Sequence, residues 1–111
     1  MNNMNITQTD EQLKAETYVC SAQPFELGQC VMTQGVDSLL NDNIGASLQI
    51  YLMRHKNGDW GNSPVDDKLL NDEATKTGGR IISSYDFCGE KIWIITEADR
   101  GYTTVLLPCE Y

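Results

Sequence analysis

His55 is the only histidine of the chain, and histidine is the side chain best suited to move protons near neutral pH. It opens the run of residues 55–61 (HKNGDWG), whose glycines predict a tight turn at the end of a helix. Asp59 follows closely enough to orient the imidazole, and Trp60 completes a candidate binding surface. A second interpretation is that His55 belongs to the apolar face of that helix and that Trp60 covers the core.

A second polar cluster lies between two very apolar runs, in residues 96–104 (TEADRGYTT). Glu97 can act as a base and Arg100 can bind an anion, while Asp99 and Thr103 are further candidate binding residues. A second interpretation is a solvated hairpin tip, in which Asp99 serves the turn geometry and Arg100 pairs with a neighbouring acid.

Together these residues suit one reaction class, the metal-independent cleavage of RNA. Such cleavage needs a base for the 2′-hydroxyl proton, an acid for the leaving oxygen and a cation for the phosphorane charge. Glu97, His55 and Arg100 have the required side chains and are the candidate catalytic residues.

The net charge argues against a nucleic-acid ligand. Sixteen acidic side chains oppose eight basic ones, which gives a formal charge of −8, and the basic residues are scattered singly. Such a surface repels phosphate backbones and suits a basic protein partner, or simply solubility. No apolar run approaches the ~20 residues of a membrane span, and no secretory signal is visible. The predicted compartment is therefore the cytoplasm.

The composition predicts no metal or cofactor site. The four cysteines, Cys20, Cys30, Cys88 and Cys109, include no C-x-x-C pair, and one histidine is too few for the common zinc sites. The motifs of nucleotide binding, zinc peptidases and serine hydrolases are also absent. We expect the cysteines to be reduced, since a disulfide framework would require export.

Three apolar, β-branched runs in the last third of the chain predict strands, over residues 80–87, 91–98 and 102–109. The links between them are short, so the strands should form an antiparallel meander. Residues 27–33 alternate weakly and predict a fourth strand.

The best helix by periodicity covers residues 44–56, with Asn43 as its N-cap and Asn57 and Gly58 ending it. Its apolar stripe consists of Ile44, Leu48, Tyr51, Leu52 and His55. This stripe must be buried, and the largest apolar surface available to it is a face of the predicted sheet.

Two further helices start at polar caps. Thr33 precedes a short helix over residues 35–40. The run SPVD at residues 63–66 has the composition of a helix start, with Ser63 as the N-cap and Pro64 at the first helical position. That helix should end near Thr77.

Helices and strands are segregated along the chain, which predicts an α+β fold with two to three helices packed on the C-terminal sheet. We expect one domain over residues 17–111, preceded by a flexible tail over residues 1–16.

The topology predicts that the turn containing Trp60 lies near the hairpin tip containing Arg100. The Trp60 indole N–H then finds an acceptor in Glu97 or Asp99. Arg100 finds its anion in Asp59. The separation of the histidine from Arg100 decides whether one ligand can reach both side chains.

Several short runs have a specific order and spacing. They are LGQ at residues 27–29, RHKNGDWG at 54–61, the acidic helix with Asp66, Asp67, Asn71 and Asp72, RI at 80–81, ITEADR at 95–100 and TTVLLPCEY at 103–111. In these runs the chain resembles a family of small proteins of plasmids, prophages and other bacterial mobile elements. The resemblance implies a role in counter-defence, maintenance or toxicity. Some members carry a restriction or methyltransferase label, but this chain lacks the motifs of such enzymes.

Two function classes follow from the sequence. The first is a small acidic accessory protein that has no catalytic activity and acts by binding another protein. The alternative is a toxin-like ribonuclease that uses His55, Glu97 and Arg100.

Overall fold

A computed structural model of the protein describes residues 12–13 and 17–111. Within them the chain forms β1 (Gln29–Met32), α1 (Gln34–Asp42), α2 (Gln49–Lys56), α3 (Val65–Thr77), β2 (Ile81–Phe87), β3 (Glu90–Thr96), β4 (Tyr102–Leu106) and a 3₁₀ turn (Pro108–Glu110). Most of the predicted tail over residues 1–16 lies outside the described residues.

The four strands make one sheet in the order β1-β4-β3-β2. β2, β3 and β4 are antiparallel neighbours, so the predicted meander is confirmed. The fourth strand is present at the edge of the sheet and runs parallel to β4, which makes the sheet mixed. The chain passes through all three helices and two strands between β1 and β4, and this long crossover is what permits a parallel pair. The α+β class is confirmed.

The helices α1 and α2 cover one face of the sheet. In β2 the alternate residues Ile81, Ser83, Tyr85 and Phe87 are buried on that face. The ring of Tyr51 in α2 lies 5.5 Å from that of Tyr85 and 5.4 Å from that of Phe87. The larger hydrophobic cluster therefore fills the space between these helices and the sheet.

The third helix, α3, lies beside the outer edge of β2. The Asn71 side chain accepts a hydrogen bond from the Ile82 N–H (3.0 Å) and donates one to the Ile82 carbonyl (2.8 Å). Further along the same edge, the Asn62 N–H donates to the Ser84 carbonyl and the Ser84 N–H donates to the Trp60 carbonyl. These bonds satisfy the edge strand and block its pairing with another chain.

α2 is shorter than the periodicity predicted. It begins at Gln49, whereas Ile44 lies in a turn and is 98% exposed. Gly45 adopts a φ of 92°, a left-handed conformation that no helix continues through. Asn43 is accordingly the C-cap of α1 and not the N-cap of α2. The rest of the predicted stripe, Leu48, Tyr51, Leu52 and His55, packs on the sheet or is buried.

α3 begins one residue later than predicted. Pro64 occupies the N-cap position and Val65 is the first helical residue. The Ser63 hydroxyl makes no cap hydrogen bond to α3 and donates instead to the Trp60 carbonyl at 3.0 Å. The predicted end is confirmed, since the helix ends at Thr77 and a left-handed Gly78 follows.

Candidate functional site

His55 is completely buried between the helices and the sheet. Its Nδ1 shares a hydrogen bond with Ser83 Oγ (2.5 Å) and its Nε2 shares one with Thr96 Oγ1 (2.8 Å). Thr96 Oγ1 bonds Thr103 Oγ1 at 2.7 Å, and the Thr103 hydroxyl donates to the Leu27 carbonyl at 2.7 Å. We call the side chains of His55, Ser83, Thr96 and Thr103 the polar line.

The polar line has a direction that its last member fixes. Thr103 donates its only hydroxyl hydrogen to the Leu27 carbonyl, so in the bond between the two threonines Thr96 must be the donor. Thr96 has then no hydrogen left for His55, so the His55 Nε2–H donates to Thr96. Because burial lowers the pKa of His55 to about 3, the imidazole is neutral and its Nδ1 accepts from Ser83. The prediction that Asp59 orients the ring is therefore wrong, because Ser83 and Thr96 orient it instead.

Burial lowers the pKa of His55 from its ordinary 6.5 to about 3. The ring is therefore uncharged at neutral pH, it has no accessible surface and both nitrogens have partners. A general acid or base must come within hydrogen-bond reach of a substrate proton. His55 could do so only after its covering residues had moved.

Arg100 binds backbone carbonyls and not the predicted Asp59. Its guanidinium donates to the carbonyl oxygens of Ala74 (2.9 Å), Gly79 (2.6 Å), Glu97 (3.0 Å) and Ala98 (3.3 Å). These bonds join the C-terminal end of α3 to the β3–β4 hairpin. The hairpin places the guanidinium at the negative C-terminal end of α3, whereas Asp59 is bound by Arg54.

Asp59 is used elsewhere, in an ion pair with Arg54. The distance from Arg54 Nε to Asp59 Oδ2 is 2.7 Å, and both side chains are substantially exposed. The hydrogen bond from Arg54 lowers the pKa of Asp59. Its Oδ1 also accepts from the Gly61 N–H at 3.0 Å, which holds the turn in place.

The histidine and Arg100 nevertheless lie at the same end of the sheet, as the topology predicted. Both contact Phe25, whose ring centroid is 5.6 Å from that of His55 and 5.8 Å from the Arg100 Cζ. Phe25 is itself buried. It belongs to a segment without helix or strand, residues 18–27, which we call the strap. The side chain that joins the two candidate catalytic residues is therefore apolar.

Trp60 is buried, as its covering role predicted, but its acceptor is neither Glu97 nor Asp99. The indole N–H donates to Asp72 Oδ1 at 2.8 Å. Glu97 instead pairs with Arg80 at 3.3 Å. Asp99 accepts from the Gly101 N–H at 2.8 Å, which is the turn role of the second interpretation.

Asp72 ties the strap to α3. Besides Trp60, its carboxylate accepts hydrogen bonds from the Tyr18 hydroxyl (2.8 Å), the Ser21 N–H (3.1 Å) and the Cys20 thiol (3.5 Å). Burial raises the pKa of Asp72, but these hydrogen bonds outweigh it and the net pKa is lowered. A charged carboxylate is thus kept in a site where only 2% of the residue is exposed.

Sequence reasoning missed the main polar anchors, Asn71 and Asp72, because both occupy buried positions of a helix. The helix inverts the usual pattern: Asn71 and Asp72 are buried, whereas Leu69 and Leu70 are 49% and 68% exposed. No apolar pattern reveals this inversion, because Leu69 follows Val65 by four residues and Leu70 precedes Ala74 by four, which is the spacing of neighbours on one helix face.

A groove with a volume of about 580 Å³ lies between α3 and the sheet face that α1 and α2 leave uncovered. It is lined by Asn62, Ser63, Pro64, Asp67, Leu70, Asn71, Arg80, Ile82, Ser84, Lys91, Trp93 and Tyr111. Seven of these twelve residues are polar, but most of the exposed surface of the groove is apolar, and Leu70 is far more exposed than Ile82.

Aromatic rings and a fixed arginine shape one side of the groove. The rings of Trp93 and Tyr111 meet edge to face at 5.5 Å. The Arg80 guanidinium donates to the Tyr111 hydroxyl at 3.0 Å and is paired with Glu97 on its other side. This surface is therefore preformed in the folded chain.

Within residues 12–13 and 17–111, no group of three or more histidine, cysteine or acidic residues is placed to hold a metal ion. No helix in that part of the chain has the length and apolar character to cross a membrane. The four cysteines are free and exposed.

No family model, curated protein or solved structure matches this chain.

Proposed function

We propose that this protein is a small binding module without catalytic activity, which takes up a segment of another protein in the groove between α3 and the sheet. The observation that carries the proposal is the inverted helix α3, which buries Asn71 and Asp72 and turns Leu70 toward solvent beside the groove. Leu70 shares the groove with Trp93 and Tyr111, and a contiguous exposed apolar patch of this kind is typical of interaction sites.

The shape and chemistry of the groove support this function. The volume of about 580 Å³ is in the range of ligand sites, and most of the exposed surface of the groove is apolar, with polar side chains among the lining residues. Trp93 and Tyr111 provide the aromatic side chains that are enriched where proteins bind one another. Arg80 fixes Tyr111, so little order has to be gained when a partner binds.

The ribonuclease alternative has less support. It requires His55, Glu97 and Arg100 to face one substrate, but the first is buried and the last is bound to four carbonyls. Glu97 is paired with Arg80. The charge of −8 adds a repulsion that no basic patch offsets.

The resemblance to mobile-element proteins gives this module a context. We infer that it serves such an element as an accessory protein, in counter-defence or maintenance. The four exposed and unpaired cysteines suit a reducing compartment, so we place this activity in the cytoplasm.

Peptide selection on the folded full chain tests the proposal, with two matched variants. Leu70→Glu places a charge in the groove, and Ile50→Glu places one on an equally exposed position of α2, since the two side chains are 68% and 63% exposed. We expect peptides selected from a random display library to bind Leu70→Glu at least about tenfold more weakly. Ile50→Glu should retain their affinity within about twofold.

Two results would overturn the proposed function. One is that no peptide is enriched beyond the level seen on an unrelated acidic domain. The other is that Leu70→Glu and Ile50→Glu bind the selected peptides equally well, while circular dichroism shows both variants to be folded.

A further inference from the structure

The geometry points to a partner segment that carries lysine or arginine beside an apolar side chain. This inference rests on the proposed function and names the chemistry of the partner. The apolar side chain would contact Leu70 and Trp93, and the cation would lie at Asp67 on the rim of the groove.

The charges that line the groove are not equivalent. Arg80 is neutralised by Glu97, 3.3 Å away. Lys91 faces Asp86 across the β2–β3 pair, where opposite charges on one face attract. Both cations of the lining therefore have a carboxylate beside them.

Asp67 differs from these two cations. It is exposed in the first turn of α3, and within the described part of the chain it has neither a hydrogen bond nor an ion pair from its side chain. The charge that the groove leaves unpaired is therefore negative, which favours a cationic group in the ligand.

The aromatic side of the groove supports the same choice. The rings of Trp93 and Tyr111 line it, and an aromatic face attracts a cation within about 6 Å. The protein already uses this contact internally, since the Arg80 Cζ lies 5.7 Å from the Tyr111 ring centroid. Because Arg80 already lies against the Tyr111 ring, a basic side chain of the partner can approach either Asp67 or the ring of Trp93.

At longer range, the formal charge of −8 selects the same class of partner. The field of an acidic protein steers a basic segment toward it and repels an acidic one, with a salt dependence that reveals the effect. The same field opposes a second copy of this chain as the occupant, because two chains of charge −8 would have to meet.

The charge of the selected peptides and a second pair of variants test the inference. Peptides selected on the full chain are sequenced, and the bound ones are measured against Asp67→Lys and Glu73→Lys. Both variants make the same change of charge in α3, but only Asp67 lines the groove. We expect enriched peptides to combine lysine or arginine with an apolar residue. Their affinity should fall about tenfold in Asp67→Lys and less than threefold in Glu73→Lys.

Salt provides a second readout on the same peptides. Raising the ionic strength from about 50 to about 500 mM should weaken binding to the unaltered chain, and weaken it less in Asp67→Lys.

The outcomes separate this inference from the proposed function. Peptides that are acidic or uncharged and lose affinity in Leu70→Glu would overturn the inference and leave the groove as a binding site. Equal effects of Asp67→Lys and Glu73→Lys would also overturn it. A full chain that sediments as a dimer, and becomes monomeric in Leu70→Glu, would assign the groove to a second copy instead. Selected peptides that bind Leu70→Glu as tightly as the unaltered chain would overturn both proposals.

Discussion

At the scale of single residues, burial decides what His55 and Asp72 can do. The two side chains are equally hidden from solvent but respond in opposite ways. His55 gives up its charge, because burial disfavours the charged form of its ring. Asp72 keeps its charge, because four donors converge on it. The residue types that suggested chemistry in the sequence therefore serve the structure here.

The first prediction concerns acid stability. The pKa of His55 is about 3 in the folded protein and 6.5 as the ordinary value, so the unfolded state binds more protons between these pH values. The contribution of His55 to stability is fully present above pH 6.5 and is lost as the pH falls toward 3. In urea titrations we expect the free energy of unfolding to fall by up to about 1.4 kcal/mol per pH unit in this window.

His55→Gln is the control for this acid effect. Between pH 6.5 and 5, where most carboxylates stay charged, its unfolding free energy should change much less than that of the unaltered chain. Equal slopes for the two proteins would mean that His55 is not the source.

The second prediction is the tautomer of His55. The hydrogen-bond direction of the polar line requires a proton on Nε2, and the lowered pKa of the buried ring leaves a lone pair on Nδ1. Nitrogen NMR of the ring should show one protonated nitrogen, Nε2, with shifts that stay constant between about pH 7 and 5. A ring that titrates near its ordinary pKa would contradict the buried position.

The third prediction concerns Asp72. Asp72→Asn keeps the shape but removes the charge, and its amide presents hydrogens to groups that are themselves donors, such as Trp60 and Tyr18. We expect a loss of about 2 kcal/mol in unfolding free energy. The exposed neighbour Glu73 provides the control, since Glu73→Gln should change stability by less than about 0.5 kcal/mol. Equal effects of the two changes would show that the carboxylate does not anchor the strap.

At the scale of elements, polar side chains join parts that are distant in sequence. Asn71 binds the edge of β2, Asp72 binds the strap, and Arg100 binds the end of α3. The smaller hydrophobic cluster, which contains Trp60 and Phe25, lies among these joints. The end of the sheet that carries the candidate catalytic residues is thus held by partly buried hydrogen bonds.

The fourth prediction tests the joint at Arg100. Lysine has the charge but not the planar set of five donors that reaches four carbonyls, so Arg100→Lys should lower the unfolding free energy by about 2 kcal/mol. Arg54→Lys is a matched change at an exposed ion pair and should cost about 0.5 kcal/mol. Denaturant titration compares them, and a smaller loss in Arg100→Lys than in Arg54→Lys would contradict the structural role of Arg100.

Alternation and turn residues were enough to predict the meander, because β2, β3 and β4 are local in sequence and their links are short. The orientation of β1 could not be predicted in the same way. The orientation depends on where the long crossover returns to the sheet, and the composition of the strand does not indicate that position.

The candidate site was predicted only in its placement. The periodicity of α2 put His55 on the buried face, and the topology put it at the end of the sheet where Arg100 lies. The hydrogen-bond partners of these side chains could not be predicted. Ser83 and the Ala74 carbonyl are far from them in sequence, and no sequence pattern marks such a hydroxyl or backbone carbonyl as a partner. The groove depends on the inverted helix, which propensity alone does not reveal.

At the scale of the whole molecule, the sheet separates the larger core from the groove. Its helix-covered face holds the larger core and the polar line, and its other face forms the floor of the groove. Hydrogen-bonded polar groups make the first face rigid. On the second face, exposed Leu70 and the aromatic rings form an apolar surface suited to binding. Under the proposed function, the groove would set the identity of the ligand, and the charge of −8 on the entire surface would act on its approach at a distance.

Spectra that correlate amide protons with their nitrogens, recorded as a selected basic peptide is added to the full chain, compare both faces at once. We expect the signals of Leu70, Ile82 and Trp93 to move with the peptide, while those of His55 and Thr96 stay in place. Movement centred on His55 and Thr96, with the groove signals unchanged, would contradict the assignment of binding to the groove and return the function to the buried histidine.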